Sequence, residues 1–459
     1  MGGTRNEECK RVENNILNAV MGVCVADALG VPVEFVDRKT LSKEPVTYMR
    51  SYGTHNQKAG TWSDDTSMTL CLIDSLSKGL DYKDIMTNFI KWINNGEYTA
   101  YGEVFDVGNA TRKALRRFEG GKAPLDCGGL SENDNGNGSL MRILPILFYI
   151  RSIYGTEFTE NDDAMNIIHQ VSALTHAHKR SLIACGIYIS IANMLIGDMD
   201  VLSGVERGIN NAIEYYKRHD EFADELYNYS RLSDMFFSER PVNSIKSSGY
   251  VVDTLEAAIW CLLNTKNYKD CVLSAVNLGE DTDTVAAVAG GLAGIYYGYD
   301  SIPKEWISVI AKREYIESLC NELSEAVGKA ENQKLCAYIP YFETATKESV
   351  YHWGGGEKLG EKQFTMPYPV YDETLKEFIQ EIYNTSIMCD NYPEVIHNRG
   401  LDNEEDMKNS IDDADLELIK AIITGYVRQE RFCDGLWASA VEDKVFLKIL
   451  QRLKQLLLS

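Results

Sequence analysis

Two short acidic stretches stand more than two hundred residues apart in the chain, and each opens a helical pattern. "WSDDTSM" brings Ser63, Asp64, Asp65 and Thr66 to the start of one. "GEDTDTVAAVAGGLAG" brings Glu280, Asp281, Thr282, Asp283 and Thr284 to the start of another, against a run of Ala, Val and Gly. A further carboxylate, Glu34 in "LGVPVEF", follows a helix stop. Ser, Thr and Asp are favoured helix N-caps, where the helix dipole also welcomes negative charge. One side chain satisfies a cap, whereas doubled carboxylates exceed that need and repel each other at the edge of an apolar segment. On the pattern alone, capping and cation binding stand level. For the second reading, Mg2+ or Mn2+ suits a donor set of carboxylates and hydroxyls, while Ca2+ usually recruits more ligands. Asp283 lies two positions after Asp281, so both can face one site, and two cations sharing a carboxylate would relieve the repulsion.

A second group is built from Gly and Asn. "FDVGNATRKAL" carries Asp106, Gly108 and Asn109, and "NDNGNGSLMRILPI" carries Gly136, Asn137, Gly138 and Ser139 before an apolar segment read as a helix. Gly lets backbone N–H groups approach an anion, and helix N-termini bind phosphate, although a lone Asn-Gly pair is usually a turn. Neither stretch is a G-K-[ST] phosphate loop or a G-x-G-x-x-G fingerprint. His176 and His178, in "LTHAHKRSL", do not share a helical face and lack the further N or S donors that zinc needs. Each can cap, pack, or hydrogen-bond a phosphate.

Long helical patterns must position these residues. "NNILNAVMGVCVADALG" spaces Leu17, Met21, Cys24 and Ala28 as one helix, with Asn14 or Asn15 as its cap and Gly30 and Pro32 as its stop. "SMTLCLIDSLSKG", "RSLIACGIYISIANMLIG", "VVDTLEAAIWCLLNT" and "DTVAAVAGGLAGIYYG" have the same character, and few stretches alternate with period two. An all-α fold follows. The small side chains of Ala286, Ala287, Gly290, Gly291, Ala293 and Gly294 let neighbouring helices come close, which puts that helix at the centre.

The 459 residues can bury a large core. A net charge of −22 repels a phosphate backbone, which argues against general nucleic-acid binding and requires any anionic ligand to be met locally. The 11 Cys form no C-x-x-C pair and read as reduced, mostly buried thiols of a cytoplasmic protein. The polar start "MGGTRNEECKRVENN" lacks a signal-peptide core, and the apolar runs read as too short to cross a membrane.

In order along the chain, "GVCVADALGVPVEF", "WSDDTSMTL", "FDVGNAT", "NGNGSLMRILPI", "LTHAH", "GYVVDTLEAAIWC" and "GEDTDTVAAVAGGLAG" resemble the ADP-ribosylglycohydrolases, including the dinitrogenase-reductase-activating type. The resemblance covers residues 10–330. It implies a compact multi-helix fold with two divalent cations, Mg2+ or Mn2+, in a cleft. By motif, Ser63, Asp64, Asp65 and Asp283 would hold one, and Glu34, Asp281, Asp283 and Thr284 the other. Asp106 would position substrate or transfer a proton. Gly108, Asn109, Gly136, Asn137, Gly138 and Ser139 would meet the diphosphate and ribose, with His176 beside the diphosphate and Tyr250 at the adenosine end. Glu280 departs from the Gly of the best-known members.

The resemblance further implies hydrolysis of the bond between ADP-ribose and an acceptor, with arginine favoured over serine and O-acyl conjugates and over a non-catalytic ADP-ribose receptor. Glu34, Asp106 and Asp283 are the expected catalytic carboxylates, acting on an ADP-ribosylated protein or a small conjugate. After about residue 330, "YHWGGGEKLGEKQFTMPYPVY" reads as a linker over 331–366. Residues 367–459 then read as a small helical domain resembling a bacterial family of unknown function. That domain is assigned no catalytic role. Arg428, Arg431 and Trp437 are its candidates for an unidentified partner, against an ordinary surface and core.

Overall fold

Helix α1 (Asn15–Gly30) is apolar around nearly its whole circumference, and it is buried from Asn18 onward. In the computed structural model, which describes residues 15–197, 199–356, 358–360, 363–401 and 403–458, Asn15 is already helical. The alternative cap, Asn14, lies outside the described residues, as does the expected domain start at residue 10. Asn15–Val33 is long and apolar enough to span a bilayer, contrary to the expectation that every apolar run is too short, but 94% of that window is buried inside the protein. It is a core helix.

The chain divides into two compact units at the Ala326–Val327 junction, which falls within a helix, Arg313–Cys336. Among its described residues the N-terminal unit is all helix and loop apart from isolated bridges. Its principal helices are α2 (Asp64–Leu76), α3 (Tyr82–Asn95), α4 (Asn109–Glu119), α5 (Ile146–Tyr154), α6 (Asp162–Ala173), α7 (Lys179–Leu195), α8 (Val201–Lys217), α9 (Val251–Leu263), α10 (Tyr268–Val276) and α11 (Thr282–Tyr297).

Helix α11 is buried from Thr282 to Ile295 and packs against α1, α2, α7, α9 and α10. Its contact with α1 is backbone to backbone. A Cβ at Gly290 would lie 2.4 Å from the carbonyl oxygen of Gly22, and one at Gly30 would lie 2.4 Å from the Cα of Asp283. Residues with side chains at these positions would push the helices apart and displace the acidic entrance of α11. The expected helix after Ser139 begins later than the apolar pattern suggests. Residues 138–145 form turns and α5 starts at Ile146, because Pro145 lacks an N–H and suits the first position before a helix.

The segment expected as a linker, 331–366, is instead structured over much of its length. Ile339–Thr344 and Lys347–Val350 are helical, and strand β1 (Tyr351–Gly354) pairs antiparallel with β4 (Tyr368–Tyr371). Between them lies the short pair β2 (Lys358–Gly360) and β3 (Gln363–Phe364). Leu335, Ile339, Phe342 and Val350 join the core of the C-terminal unit with Phe378 of α12 (Glu373–Asn384), Ile419 of α13 (Leu416–Gln429) and Phe446 of α14 (Val445–Leu458). Arg428 pairs with Asp390, Arg431 lies over the Phe432 ring, and the Trp437 ring packs 5.0 Å from Tyr371.

Candidate active site

The entrance of α2 is held by a residue of α1. Ser63 N–H donates to both carboxylate oxygens of Asp27, at 3.0 and 3.1 Å. Thr66 donates to Asp27 Oδ2 through its N–H at 3.1 Å and through Oγ1 at 2.6 Å. Asp27, fully buried, shares the capping of α2 with Ser63, whose Oγ accepts the N–H of Asp65 at 3.3 Å, so the cap needs neither the Asp64 nor the Asp65 carboxylate. Those two residues, also buried, are left for other work. Ser63 Oγ donates to Asp65 Oδ2 at 3.0 Å, and Thr284 Oγ1 reaches the same oxygen at 3.3 Å. The starts of α2 and α11 therefore meet.

Asp281 N-caps α11 by position but uses no side-chain cap bond. Its Oδ2 accepts from Asn137 Nδ2 at 2.9 Å, and Asn137 also donates to Thr254 Oγ1 at 3.0 Å. Asp283 Oδ1 accepts the N–H of Thr284 at 2.9 Å. Glu34, buried at the end of the 3-10 turn Val31–Val33, converges with Asp281 and Asp283, their nearest carboxylate oxygens all within 4.8 Å of one another. A second cluster of the same span joins Glu34 to Asp106 and His55, whose Nε2 contacts Glu34 Oε2. The His55 ring packs against Phe105 at 5.1 Å.

Asp106 (φ 53°) and the chain neighbours of three other cluster residues, Phe35 (φ 62°), Asn56 (φ 52°) and Glu280 (φ 65°), hold left-handed backbone. Non-glycine residues adopt it at a cost that surrounding structure must offset, and such strain concentrates at functional sites. Glu280 is accounted for by this backbone. Its N–H donates to Val36 O at 2.9 Å and its carbonyl accepts from Phe35 N at 2.6 Å, while its side chain is exposed. The residue ties the Glu34 loop to the α11 entrance in a conformation that glycine favours.

Seven carboxyl groups share this small volume. Burial first, and mutual repulsion with it, raises Asp64, Asp65 and Asp283 well above the ordinary carboxylate range; burial also raises Asp281. Glu34 is pushed up to about 8 by burial and Asp281, and Asp106 to about 8 by burial and Glu34. Burial takes Asp27 to about 6 despite its hydrogen bonds. Within this cluster, Asp65 Oδ1, Asp281 Oδ1 and Asp283 Oδ2 are buried with no hydrogen-bond partner among the described residues. Crowded carboxylates with spare lone pairs, lined by Ser and Thr hydroxyls, fit a divalent cation.

The Gly/Asn loops border the same place. Gly136 forms a bridge with Tyr250, and Asn137 N–H donates to Gly249 O at 3.1 Å. Gly108, exposed at the N-terminus of α4, lies one turn from Thr111, whose Oγ1 would be 3.2 Å from a Cβ on Gly138. Asn109 is exposed beside it. His176 is buried against the Gly136–Gly138 turn, whereas His178 caps α7 through Nδ1. Tyr250 is half-buried, with the Arg180 guanidinium 5.7 Å from its ring centre. Ser139 differs from expectation. Its hydroxyl turns into the core, accepting from Ser172 Oγ at 2.9 Å beside Cys185.

The sequence reading missed Asp27, His55 and Arg180. Asp27 sits within an otherwise apolar helix in "CVADALG", and that isolated acid was its available signal. His55 ends the short 3-10 turn Gly53–His55, where no periodicity shows, and Arg180 follows His178 as one cation among many, so neither carried a local signal.

Residues 8–333 match the family model described as ADP-ribosylglycohydrolase, and residues 327–458 match a family of unknown function. The chain is 34% identical over 307 residues to a protein of Serratia proteamaculans named ADP-ribosylarginine hydrolase Tri1, covering 66% of this chain and 77% of that one. It is 32% identical over 311 residues to the ADP-ribosyl-[dinitrogen reductase] glycohydrolase of Rhodospirillum rubrum, covering 65% and 90%. A solved structure titled ADP-ribosylglycohydrolase-related protein complex superposes with a TM-score of 0.56 at 29% identity, over 69% of this chain and 99% of that one.

Proposed function

Because this chain belongs to the ADP-ribosylglycohydrolase family and is accordingly a glycosidic-bond hydrolase, we propose that it releases ADP-ribose from arginine side chains with the help of two divalent cations. The observation that carries this reading is the convergence of Glu34, Asp281 and Asp283, with two unpartnered carboxylate oxygens among them, beside the Gly136–Gly138 turn. The arginine preference rests on the name of the relative that is 34% identical, an ADP-ribosylarginine hydrolase.

Glu34, Asp281, Asp283 and Thr284 would hold one cation, and Ser63, Asp64, Asp65 and Asp283 the other, as Mg2+ or Mn2+. When bound, such ions supply Lewis-acid polarisation and a template for ribose and water oxygens. The protein's own groups then do the rest. Asn137 fixes Asp281, Thr284 fixes Asp65, and the Gly108–Asn109 and Gly136–Gly138 segments, with the neutral His176, receive the diphosphate. Tyr250, backed by Arg180, faces the adenosine end. Glu34 or Asp106 takes a proton from the water that bonds to the C1″ carbon. The C1″–N bond breaks, and the guanidine nitrogen leaves with a proton. Buried thiols such as Cys24, Cys71 and Cys185 fit a cytoplasmic setting, and the substrate is an ADP-ribosylated protein or small conjugate.

Release of ADP-ribose from arginine-linked, serine-linked and O-acetyl-linked substrates, each with Mg2+ and with EDTA, tests the reading. Metal-dependent release from the arginine conjugate, faster than from the others, is the expected result. Preferential release from either other conjugate would replace the acceptor, and tight ADP-ribose binding without any release would make the protein a receptor.

A further inference from the structure

The two ring nitrogens of His176 have different surroundings. Nδ1 lies 2.8 Å from Thr175 Oγ1, and that same oxygen accepts a hydrogen bond from Arg142 Nη2 at 2.9 Å. A guanidinium has no acceptor capacity, so Arg142 occupies a lone pair of the hydroxyl. Thr175 is fully buried, and its hydroxyl proton has one acceptor among the described residues, His176 Nδ1. A proton on Nδ1 would strand the Thr175 hydroxyl proton in the interior, which costs more than a hydrogen bond contributes. The favoured tautomer thus carries its proton on Nε2.

Nε2 makes no hydrogen bond among the described residues and faces the glycine turn. A Cβ at Gly138 would lie 3.3 Å from it, and one at Gly136 would lie 3.7 Å away. The backbone of His176 is held as well, by a bridge to Gly129.

Arg142 is an unusual group for a core. It is fully buried over the Phe89 ring at 4.7 Å, it bonds Val171 O and Thr175 through Nη2, and its Nε and Nη1 have no partners among the described residues. A buried cation with no carboxylate beside it is costly, so packing alone gives no reason for it. Burial, then the Arg142 charge, pushes His176 down to about 3, which keeps the ring neutral throughout the physiological range.

We propose that Arg142 and Thr175 form a relay that fixes His176 as a neutral Nε2–H donor to a diphosphate oxygen held over the Gly136–Gly138 turn. The relay rests on the reading that the ADP-ribose diphosphate occupies that turn. Arg142 and Thr175 are positioning residues, acting on the ligand through His176.

The test combines 15N NMR of the histidine ring in the full-length protein, assigned with His176→Ala, and ADP-ribose affinity of Thr175→Val and Thr175→Ser. Wild-type His176 should show an Nε2–H tautomer at pH 7. Thr175→Val should bind ADP-ribose roughly tenfold more weakly, with mixed tautomers, and Thr175→Ser should restore both. An Nδ1–H tautomer in the wild type would overturn the relay without reference to any variant's folding. So would unchanged affinity in Thr175→Val while His176→Ala binds weakly. If His176→Ala itself bound like wild type, the diphosphate reading would fail first and the relay with it.

Discussion

Asp27 accepts hydrogen bonds from three donors at the start of α2 and leaves the doubled acids after it without a capping duty. Asp27→Ala should therefore destabilise the protein by about 1–3 kcal/mol in chemical denaturation and weaken divalent-ion binding at the same time. Loss of stability with unchanged metal affinity would confine Asp27 to a structural role. The doubled carboxylates of "SDDT" and "EDTDT" were legible in the sequence because no helix cap uses so many acids. Asp27 and His55 were not, because each acquires its role only when a distant segment folds against it: Ser63 and Thr66 for one, Glu34 for the other. The same holds for Asn137, whose turn-like sequence gives no sign that its side chain steers Asp281. Glu280 shows the reverse case, an acid in a suggestive place whose backbone, rather than its carboxylate, does the work.

At the scale of elements, the small-residue face of α11 allows α1 to come close enough to set the acidic entrances. Gly290→Val should cost at least about 1–3 kcal/mol through overpacking, and turnover should fall more than ADP-ribose affinity as Asp281 and Asp283 shift. Parallel losses of turnover and affinity would mean that the helix merely supports the fold. Helices α1, α2, α7, α9 and α11 could be read from runs of apolar and small residues, since a buried helix needs little else. The hairpin β1–β4 could not, because "YHWGGGEKLG" has the Gly content of a linker and its pairing partner lies more than ten residues onward. The start of α5 was misplaced for a related reason: Leu140, Met141, Ile143 and Leu144 are buried ahead of the helix, and burial alone does not distinguish irregular chain from helix.

For the whole molecule, the acid cluster couples stability to pH and to metal. In the metal-free protein, Glu34 and Asp106 keep their protons up to about pH 8 and Asp27 up to about 6, whereas unfolded carboxyls lose theirs near about pH 4. Between these limits the native state holds more protons than the unfolded state, so stability falls as pH rises. The thermal midpoint in EDTA should drop from about pH 5 to about pH 8, and saturating Mg2+ should reduce the drop by stabilising the ionised carboxylates. A flat or rising midpoint in EDTA would contradict the electrostatics. The central claim, that these carboxylates hold divalent cations for cleavage of an arginine-linked ADP-ribose, is tested most directly by one comparison. ADP-ribose release from ADP-ribosylarginine is measured for wild type and Asp281→Asn across a Mn2+ titration and in EDTA. The account predicts metal-dependent release by wild type, and in Asp281→Asn a turnover at least about 100-fold lower with weakened Mn2+ dependence. Wild-type turnover and Mn2+ response in Asp281→Asn would contradict it.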